Sequence, residues 1–378
     1  MAGEFEMAIV AGEASGDTHA AALVRAFAEL APEARWFGIG GCGCRSAGVE
    51  VIVPSERLAV VGIGEVLSRL PDLWKGLAII KRALRQRRPR AVVLVDFPDF
   101  NFRVARFAHK LGIKVVYYIT PQVWAWRPNR TRFMAKNVDR ALVLFPFEEP
   151  FLKERGVDAR FVGHPLVDTA KPASDISSFL ERHGLSADRP RVALLPGSRA
   201  SEVERNLPVL AGAARELAKR IPEALMMTPW ASGLPASLKE LAAGSSIQFI
   251  EGEYRDVVSH ASAAAVASGT ASLECALMGV PEVVVYKVSR FTYAIGRRLV
   301  TAPYVALPNV IMGREAVPEL IQDAFTPQAV AQTLAGFLAE GKQARERAVK
   351  LAGEIRKRLG EGGAYGRAAA ALGELIGL

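Results

Sequence analysis

Apolar runs of four to seven residues alternate with amphipathic stretches throughout this chain. A strand with no polar position must be buried on both faces, as in a parallel sheet covered by helices on either side. The pattern predicts strands over 7–11, 36–39, 91–95, 114–119, 141–145 and 160–162. It resumes over 191–195, 224–228, 247–250, 263–267, 282–286 and 304–307, after a polar stretch at 168–188 that reads as a linker. A chain of 378 residues exceeds the usual limit of one core, so two domains are the default. The expected class is α/β, two doubly wound Rossmann-like domains over 1–168 and 188–350 facing a cleft, with C-terminal helices at 351–378. In such sheets ligands bind beyond the carboxyl ends of the strands.

Two strand-to-helix corners in the second block carry the strongest chemical signal, Leu195-Pro-Gly-Ser-Arg199 and Ser268-Gly-Thr-Ala-Ser-Leu-Glu274. A helix that opens after a small-residue turn presents unpaired backbone N–H groups and a positive dipole end, which suit phosphate. Ser198, Gly269 and Thr270 supply the turns, Arg199 adds a planar fork, and Glu274 stands about one helical turn in, within reach of ribose hydroxyls. Together they suggest a nucleoside diphosphate. The plain alternative is a pair of ordinary strand–helix turns.

The first block offers candidates at its own strand ends. Gly12-Glu-Ala-Ser-Gly-Asp17 lets a polar ligand approach closely through Glu13 and Ser15, or Ser15 or Asp17 simply caps the helix that begins near Thr18. In Val95-Asp-Phe-Pro-Asp-Phe-Asn101, Asp96 is a candidate general base, and Asp99 either contributes to the site or caps the helix starting near Phe100. Trp124 and Trp126 stack on a sugar, cover an acyl chain, or pack in the core. His164, in Gly163-His-Pro165, is either a catalytic imidazole or a positioning group.

The formal net charge of +9 favours anionic partners, and six of the ten residues from Lys81 to Arg90 are Lys or Arg. A smaller basic group comprises Lys287, Arg290, Arg297 and Arg298. Val66, Leu70, Leu73, Leu77, Ile80 and Leu84 recur at helical spacing beside basic residues, with Pro71 near the start. That is either a helix for an anionic membrane surface or a core-packed helix with a solvated basic face. No recognised nucleic-acid motif accompanies the charge. No apolar run reaches the ~18 residues of a spanning helix, and the acidic start is unlike a secretory signal. A cytoplasmic protein, free or peripherally attached, is expected. Cys42, Cys44 and Cys275 suit a reducing compartment, and their spacing is poor for a metal.

In order along residues 7–325, these motifs resemble the lipid-A-disaccharide synthase family: Gly12–Asp17, Leu58-Ala-Val-Val-Gly62, Asp96–Asn101, Val123-Trp-Ala-Trp-Arg127, Gly163-His-Pro165, the two corners above, and Leu307-Pro-Asn309 followed by Gly313-Arg314. The resemblance implies an inverting glycosyltransferase of the two-domain B type with no metal and no cofactor. Its donor would be UDP-2,3-diacylglucosamine and its acceptor 2,3-diacylglucosamine 1-phosphate. The products would be a β-1,6-linked disaccharide 1-phosphate and UDP, made at the cytoplasmic face of the inner membrane of Gram-negative bacteria. On this reading Asp96 is the base, Arg199 contacts the donor phosphate, and Asn309 is a further active-site residue. Glu13, Ser15, Asp99 and His164 stand on the acceptor side, and segment 60–90 admits the lipid or meets the membrane. Homo-oligomerisation is left open. Gly41-Cys-Gly-Cys-Arg45 and Pro281-Glu282 depart from the family's usual pattern. Competing readings are a transferase for a non-acylated UDP-sugar, a UDP-N-acetylglucosamine 2-epimerase, and a nucleotide-sugar-binding protein without catalysis.

Overall fold

The computed structural model describes residues 3–58, 66–125, 128–231, 233–288 and 303–378, with only the backbone described over 66–70. Residues 59–62 of the Leu58-Ala-Val-Val-Gly62 motif, Trp126, Arg127, Arg290, Arg297 and Arg298 lie outside the described residues, as do the side chains of Val66 and Leu70. The chain divides into two compact units, Met1–Pro165 with Glu361–Leu378, and Leu166–Gly360.

The first unit is built on a parallel sheet of β1 (Phe5–Ala11), β2 (Ala34–Gly40), β3 (Glu50–Pro54), β4 (Ala91–Val95), β5 (Lys114–Tyr118), β6 (Arg140–Val143) and β7 (Ala159–Phe161). Their spatial order is β3-β2-β1-β4-β5-β6-β7. Ala11 pairs with Val95, Val95 with Tyr118, and Tyr118 with Leu142, so neighbouring strands end in step at one edge. Alternate residues of β4 enter opposite cores. Val92 and Leu94 meet Leu77, Ile80 and Val104 on one face, while Val93 and Val95 meet Leu23, Phe27 and Leu372 on the other.

The second unit repeats the plan with β8 (Arg191–Leu195), β9 (Leu225–Trp230), β10 (Ile247–Glu251), β11 (Ala263–Ala267), β12 (Glu282–Tyr286) and β13 (Glu319–Ile321). The spatial order is β10-β9-β8-β11-β12-β13, again parallel. Both units are therefore doubly wound α/β, with the order reversing beside the first strand of each.

Several expectations are corrected. The strands β3 and β13 were absent from the predicted set because both are short and incompletely buried edge strands, one ending in a proline. The predicted strand at 304–307 does not form. The backbone N–H groups of Val305 and Ala306 donate to the Glu319 carboxylate instead of a ladder, and Pro308 opens the helix Leu307–Met312. The stretch read as a linker contains the helix Ile176–His183, capped by Asp175, with Phe179 and Leu180 in the second unit's core. The C-terminal residues are not one appendage. The helix Lys342–Leu359 belongs to the second unit, whereas Ala364–Ile376 returns to the first, where Arg160 pairs with Glu374 and Arg140 donates to the Ala371 carbonyl at 3.0 Å.

The amphipathic segment forms the helix Val66–Arg87. Leu77, Ile80 and Leu84 are buried against the sheet, so this part of the stripe is core. Its outer side keeps Trp74 at 57% exposure, beside Lys75, Arg82 and Arg85.

Glu282, at the start of β12, is buried with neither carboxylate oxygen hydrogen-bonded. Burial pushes its pKa well above the usual range, with Cys275 only partly opposing that. An uncompensated polar group of this kind costs about 1–3 kcal/mol. Glu282→Val, similar in volume and suited to a strand, is expected to raise stability by about that amount in denaturant unfolding. The gain should grow as pH rises through the ordinary carboxylate range, because only the unfolded wild-type chain ionises there. Equal stability of the two proteins at all pH values would refute the assignment.

Candidate active site

At the carboxyl edge of the first sheet, β1 is followed by Gly12, where a Cβ would lie 2.3 Å from the Phe97 ring, so only glycine lets the two corners meet. Glu13 occupies the N-cap position of the helix Ala14–Ala28 and Ser15 is exposed in its first turn. Asp17 caps a different helix from the one expected. Its carboxylate accepts from the backbone N–H groups of Gly41 (2.6 Å), Gly43 (2.8 Å) and Cys44 (3.1 Å), which open the helix Cys42–Ser46. Burial opposes ionisation of Asp17, but these bonds and Cys44 outweigh it and hold the pKa below its usual value. The Gly-Cys-Gly-Cys departure is thus a turn shaped around Asp17, and Cys44 is a buried member of the core.

Asp96 follows β4 with φ of 47°, and Phe97 follows with φ of 48°, two successive left-handed residues that are not glycine. Such residues cost on the order of 1–3 kcal/mol each and persist only where neighbours enforce them. Here the enforcement is visible. The Asp96 carbonyl accepts from the Asn101 side-chain amide at 2.6 Å and from the Tyr117 hydroxyl at 2.8 Å, both from the buried side of the corner. Asp99 does not cap its helix, Pro98–Lys110, whose N-cap is Phe97. Its carboxylate is 81% exposed and accepts from Arg130 at 2.5 Å, a contribution on the order of 0.5 kcal/mol.

Beyond β5 and β6, Trp124 Nε1 donates to Glu148 at 3.2 Å, and its ring meets Phe147 edge-on. Glu148 is only 4% exposed, and burial pushes its pKa up to about 7 against hydrogen bonds from Phe145 N–H and Trp124. His164 is 5% exposed, packs on Phe145, and is held neutral by burial and by His19, with a pKa of about 3. His19 itself shares a hydrogen bond with the Tyr365 hydroxyl at 2.9 Å and is depressed by burial. An imidazole so buried serves as a neutral hydrogen-bonding group.

In the second unit, β8 and β11 are neighbours and their corners lie side by side. Gly197 has φ of 120°, and a Cβ there would sit 2.5 Å from Glu202. The Glu202 carboxylate accepts weakly from Ser198 N–H (3.2 Å) and Arg199 N–H (3.4 Å), at the N-terminus of the helix Ala200–Arg220. Asn206, buried beneath, ties the Pro196 carbonyl at 2.8 Å. Gly269 is the N-cap of the helix Thr270–Leu277, and Thr270 is exposed. Ser268 donates to the Val305 carbonyl at 3.1 Å. Glu274, expected to face ribose, has little exposed surface and pairs with Arg255 at 3.3 Å, while burial raises its pKa.

Asn309 is the further active-site residue expected after the Leu307-Pro motif. Its side chain is 0% exposed, donates to the Val317 carbonyl (2.9 Å) and Glu319 (2.8 Å), and accepts from the N–H groups of Ala316 and Val317. With both ends of the amide engaged, it braces the loop. The first edge thus gathers Glu13, Ser15, Asp96 and Asp99, and the second gathers Ser198, Arg199, Gly269 and Thr270. Glu148, Glu202, Arg255, Glu319 and Tyr365 escaped the sequence reading. A run such as Phe145-Pro-Phe-Glu148 at a strand end was the available signal for Glu148.

The family model described as lipid-A-disaccharide synthetase matches residues 7–371. The lipid-A-disaccharide synthase of Geobacter metallireducens is 42% identical over 372 residues, covering 98% of this chain and 97% of that protein. That of Myxococcus xanthus is 43% identical over 371 residues, covering 97% of each. Among solved structures, UDP-GlcNAc 2-epimerase from Neisseria meningitidis bound to UDP-GlcNAc matches with a TM-score of 0.66 at 13% identity, covering 98% of this chain and 99% of that one. CalG4, the calicheamicin glycosyltransferase, matches with a TM-score of 0.61 at 15% identity, covering 99% and 98%. At such identities these structures share the fold.

The unfolded Glu148 carboxyl titrates near 4.5 and the folded one near 7, so stability falls as pH rises between those values. Glu148→Gln removes that titration. The difference in unfolding midpoint should move in the variant's favour as pH rises from 4.5 to about 7, and a difference independent of pH would count against the buried carboxyl.

Proposed function

The chain belongs to the lipid-A-disaccharide synthetase family, and on that premise we propose how its two sheet edges divide one glycosyl transfer. The protein is a hexosyltransferase of lipid A disaccharide synthesis. The donor is UDP-2,3-diacylglucosamine and the acceptor 2,3-diacylglucosamine 1-phosphate. Asp96 takes the proton of the acceptor's 6-hydroxyl, and that oxygen attacks the donor's anomeric carbon. The bond from that carbon to the UDP oxygen breaks on the opposite face, its electron pair leaves with UDP, and the centre inverts. Asp96 then returns the proton to solvent.

The observation that carries this assignment is the pair of left-handed residues at Asp96 and Phe97, held from behind by Asn101 and Tyr117. A backbone corner held in this way fixes where the strand's end presents its carboxylate, which suits a positioned general base. Charge on departing UDP meets Arg199 and the N–H groups of Ser198, Arg199 and Thr270. Glu202 now rests on two of those donors at long distances, and the more highly charged diphosphate displaces it.

Purified protein given both substrates in EDTA, with labelled acceptor, should form disaccharide 1-phosphate. Asp96→Asn should lower kcat by about 10²–10⁴-fold with little change in UDP affinity. Arg199→Ala should weaken UDP binding by roughly tenfold. Product formed equally by Asp96→Asn would remove Asp96 as the base. No product from folded wild type would sink the assignment of substrates.

Among the described residues, no helix is long and apolar enough to cross a membrane. We infer peripheral attachment at the cytoplasmic face of the inner membrane through the outer side of the helix Val66–Arg87. Exposed Trp74, over whose ring Arg103 lies at 4.7 Å, and the surrounding cations support it. The protein should sediment with vesicles containing anionic lipid and not with neutral ones. Trp74→Ala combined with Arg82→Glu should reduce that binding several-fold, whereas unchanged sedimentation would exclude this face.

A further inference from the structure

The second unit carries a cavity of about 530 Å³ that the transfer does not use. It opens at the amino-terminal edge of the sheet, where Arg191 begins β8 and Ser262 precedes β11, opposite the two phosphate corners. Arg189, Arg191, Lys342 and Arg345 line it, with Asp188 as the one carboxylate on the wall.

The partners of these cations leave their charge uncompensated. Arg191 donates to the carbonyls of His260 (2.9 Å), Ala187 and Arg189 (3.1 Å each). Arg189 donates to the Glu223 carbonyl at 2.7 Å, and Arg345 to the Met278 carbonyl at 3.3 Å. Among the described residues none of these three arginines forms an ion pair, and Lys342 meets only exposed Glu346 at 3.7 Å. Carbonyl dipoles fix the guanidinium planes without neutralising them. Arg191 and Arg345 are half-buried, and burial lowers the pKa of both. The eighteen-residue helix Lys342–Leu359 begins at the same cavity wall, adding its positive dipole end and free N–H groups. Phe337 and Leu338 supply an apolar side, so the space suits more than a bare ion.

Planar donors held by carbonyls, a helix N-terminus and a net positive wall are the elements of an oxyanion site. We propose that this cavity is a second anion site, which takes a phosphate-bearing small molecule at the edge of the sheet remote from the nucleotide corners. The phosphate lies among Arg191, Arg345 and the start of the helix Lys342–Leu359, and the remainder of the molecule lies along Phe337 and Leu338.

The test uses the full chain and inorganic pyrophosphate, titrated calorimetrically at constant ionic strength. The background is Arg199→Ala, which weakens the proposed donor corner. Saturable binding near one equivalent is expected, and Arg189→Glu with Lys342→Glu should weaken it by roughly tenfold or more. Both reversed residues are exposed, so the fold should tolerate the change. Unsaturable binding, or equal affinity after charge reversal, would overturn the proposal. In the otherwise wild-type chain the same reversal should leave UDP affinity unchanged. A loss of UDP binding there would also overturn the proposal, since the two sites would not be separate. UDP affinity insensitive to Arg199→Ala would count only against the donor reading. Dihexanoylphosphatidic acid below its micelle concentration separates the sources of the phosphate. Binding tighter than pyrophosphate supports a lipid headgroup, and weaker binding supports a soluble phosphate.

Discussion

The candidate functional positions of this chain depend on central strands whose middles are apolar and buried on both faces. A run such as Ala91–Val95 is buried on both faces, so no side chain along it can meet a ligand. Polar chemistry is forced to the strand ends, and parallel pairing brings those ends to one edge. The register that ends β1, β4, β5 and β6 in step sets Glu13, Asp96 and the Trp124 loop along one line. In the second unit, the pairing of β8 with β11 does the same for the two phosphate corners.

Corners of this kind expose backbone N–H groups that need acceptors, and the chain answers repeatedly with its own carboxylates. Asp17 satisfies Gly41, Gly43 and Cys44; Asp256 satisfies Ala173 and Ser174; Glu319 satisfies Val305 and Ala306. Asp17 and Asp256 hold their N–H groups at 2.6 to 3.1 Å. Glu202 makes the same kind of contact at 3.2 and 3.4 Å, and on our proposal it is the carboxylate that a diphosphate replaces.

The lipid-facing question turns on one helix. Its repeating leucines and isoleucine look like a membrane stripe in the sequence, yet Leu77, Ile80 and Leu84 close the first unit's core. Among the described side chains, Trp74, Ile79, Lys75, Arg82 and Arg85 remain outside, and the proposed attachment rests on that face. Asn309, a polar residue within a recognisable motif, engages its amide with the loop that Glu319 also holds.

Composition and periodicity alone were enough to establish a doubly wound α/β chain, because short apolar runs alternating with amphipathic stretches have few other solutions. Short edge strands such as Glu319–Ile321 stayed hidden, since half-buried positions blur the pattern. The corners at Asp96, Arg199 and Gly269 were likewise visible, as local turns written in neighbouring residues. Contacts between distant residues were not. Asp17 acting on a turn 24 residues away, Tyr365 returning to His19, and Arg345 joining Arg191 in one cavity arise only when helices pack. Local geometry is encoded by adjacent side chains, whereas burial, pKa and partnership depend on what the folded chain brings within a few ångströms.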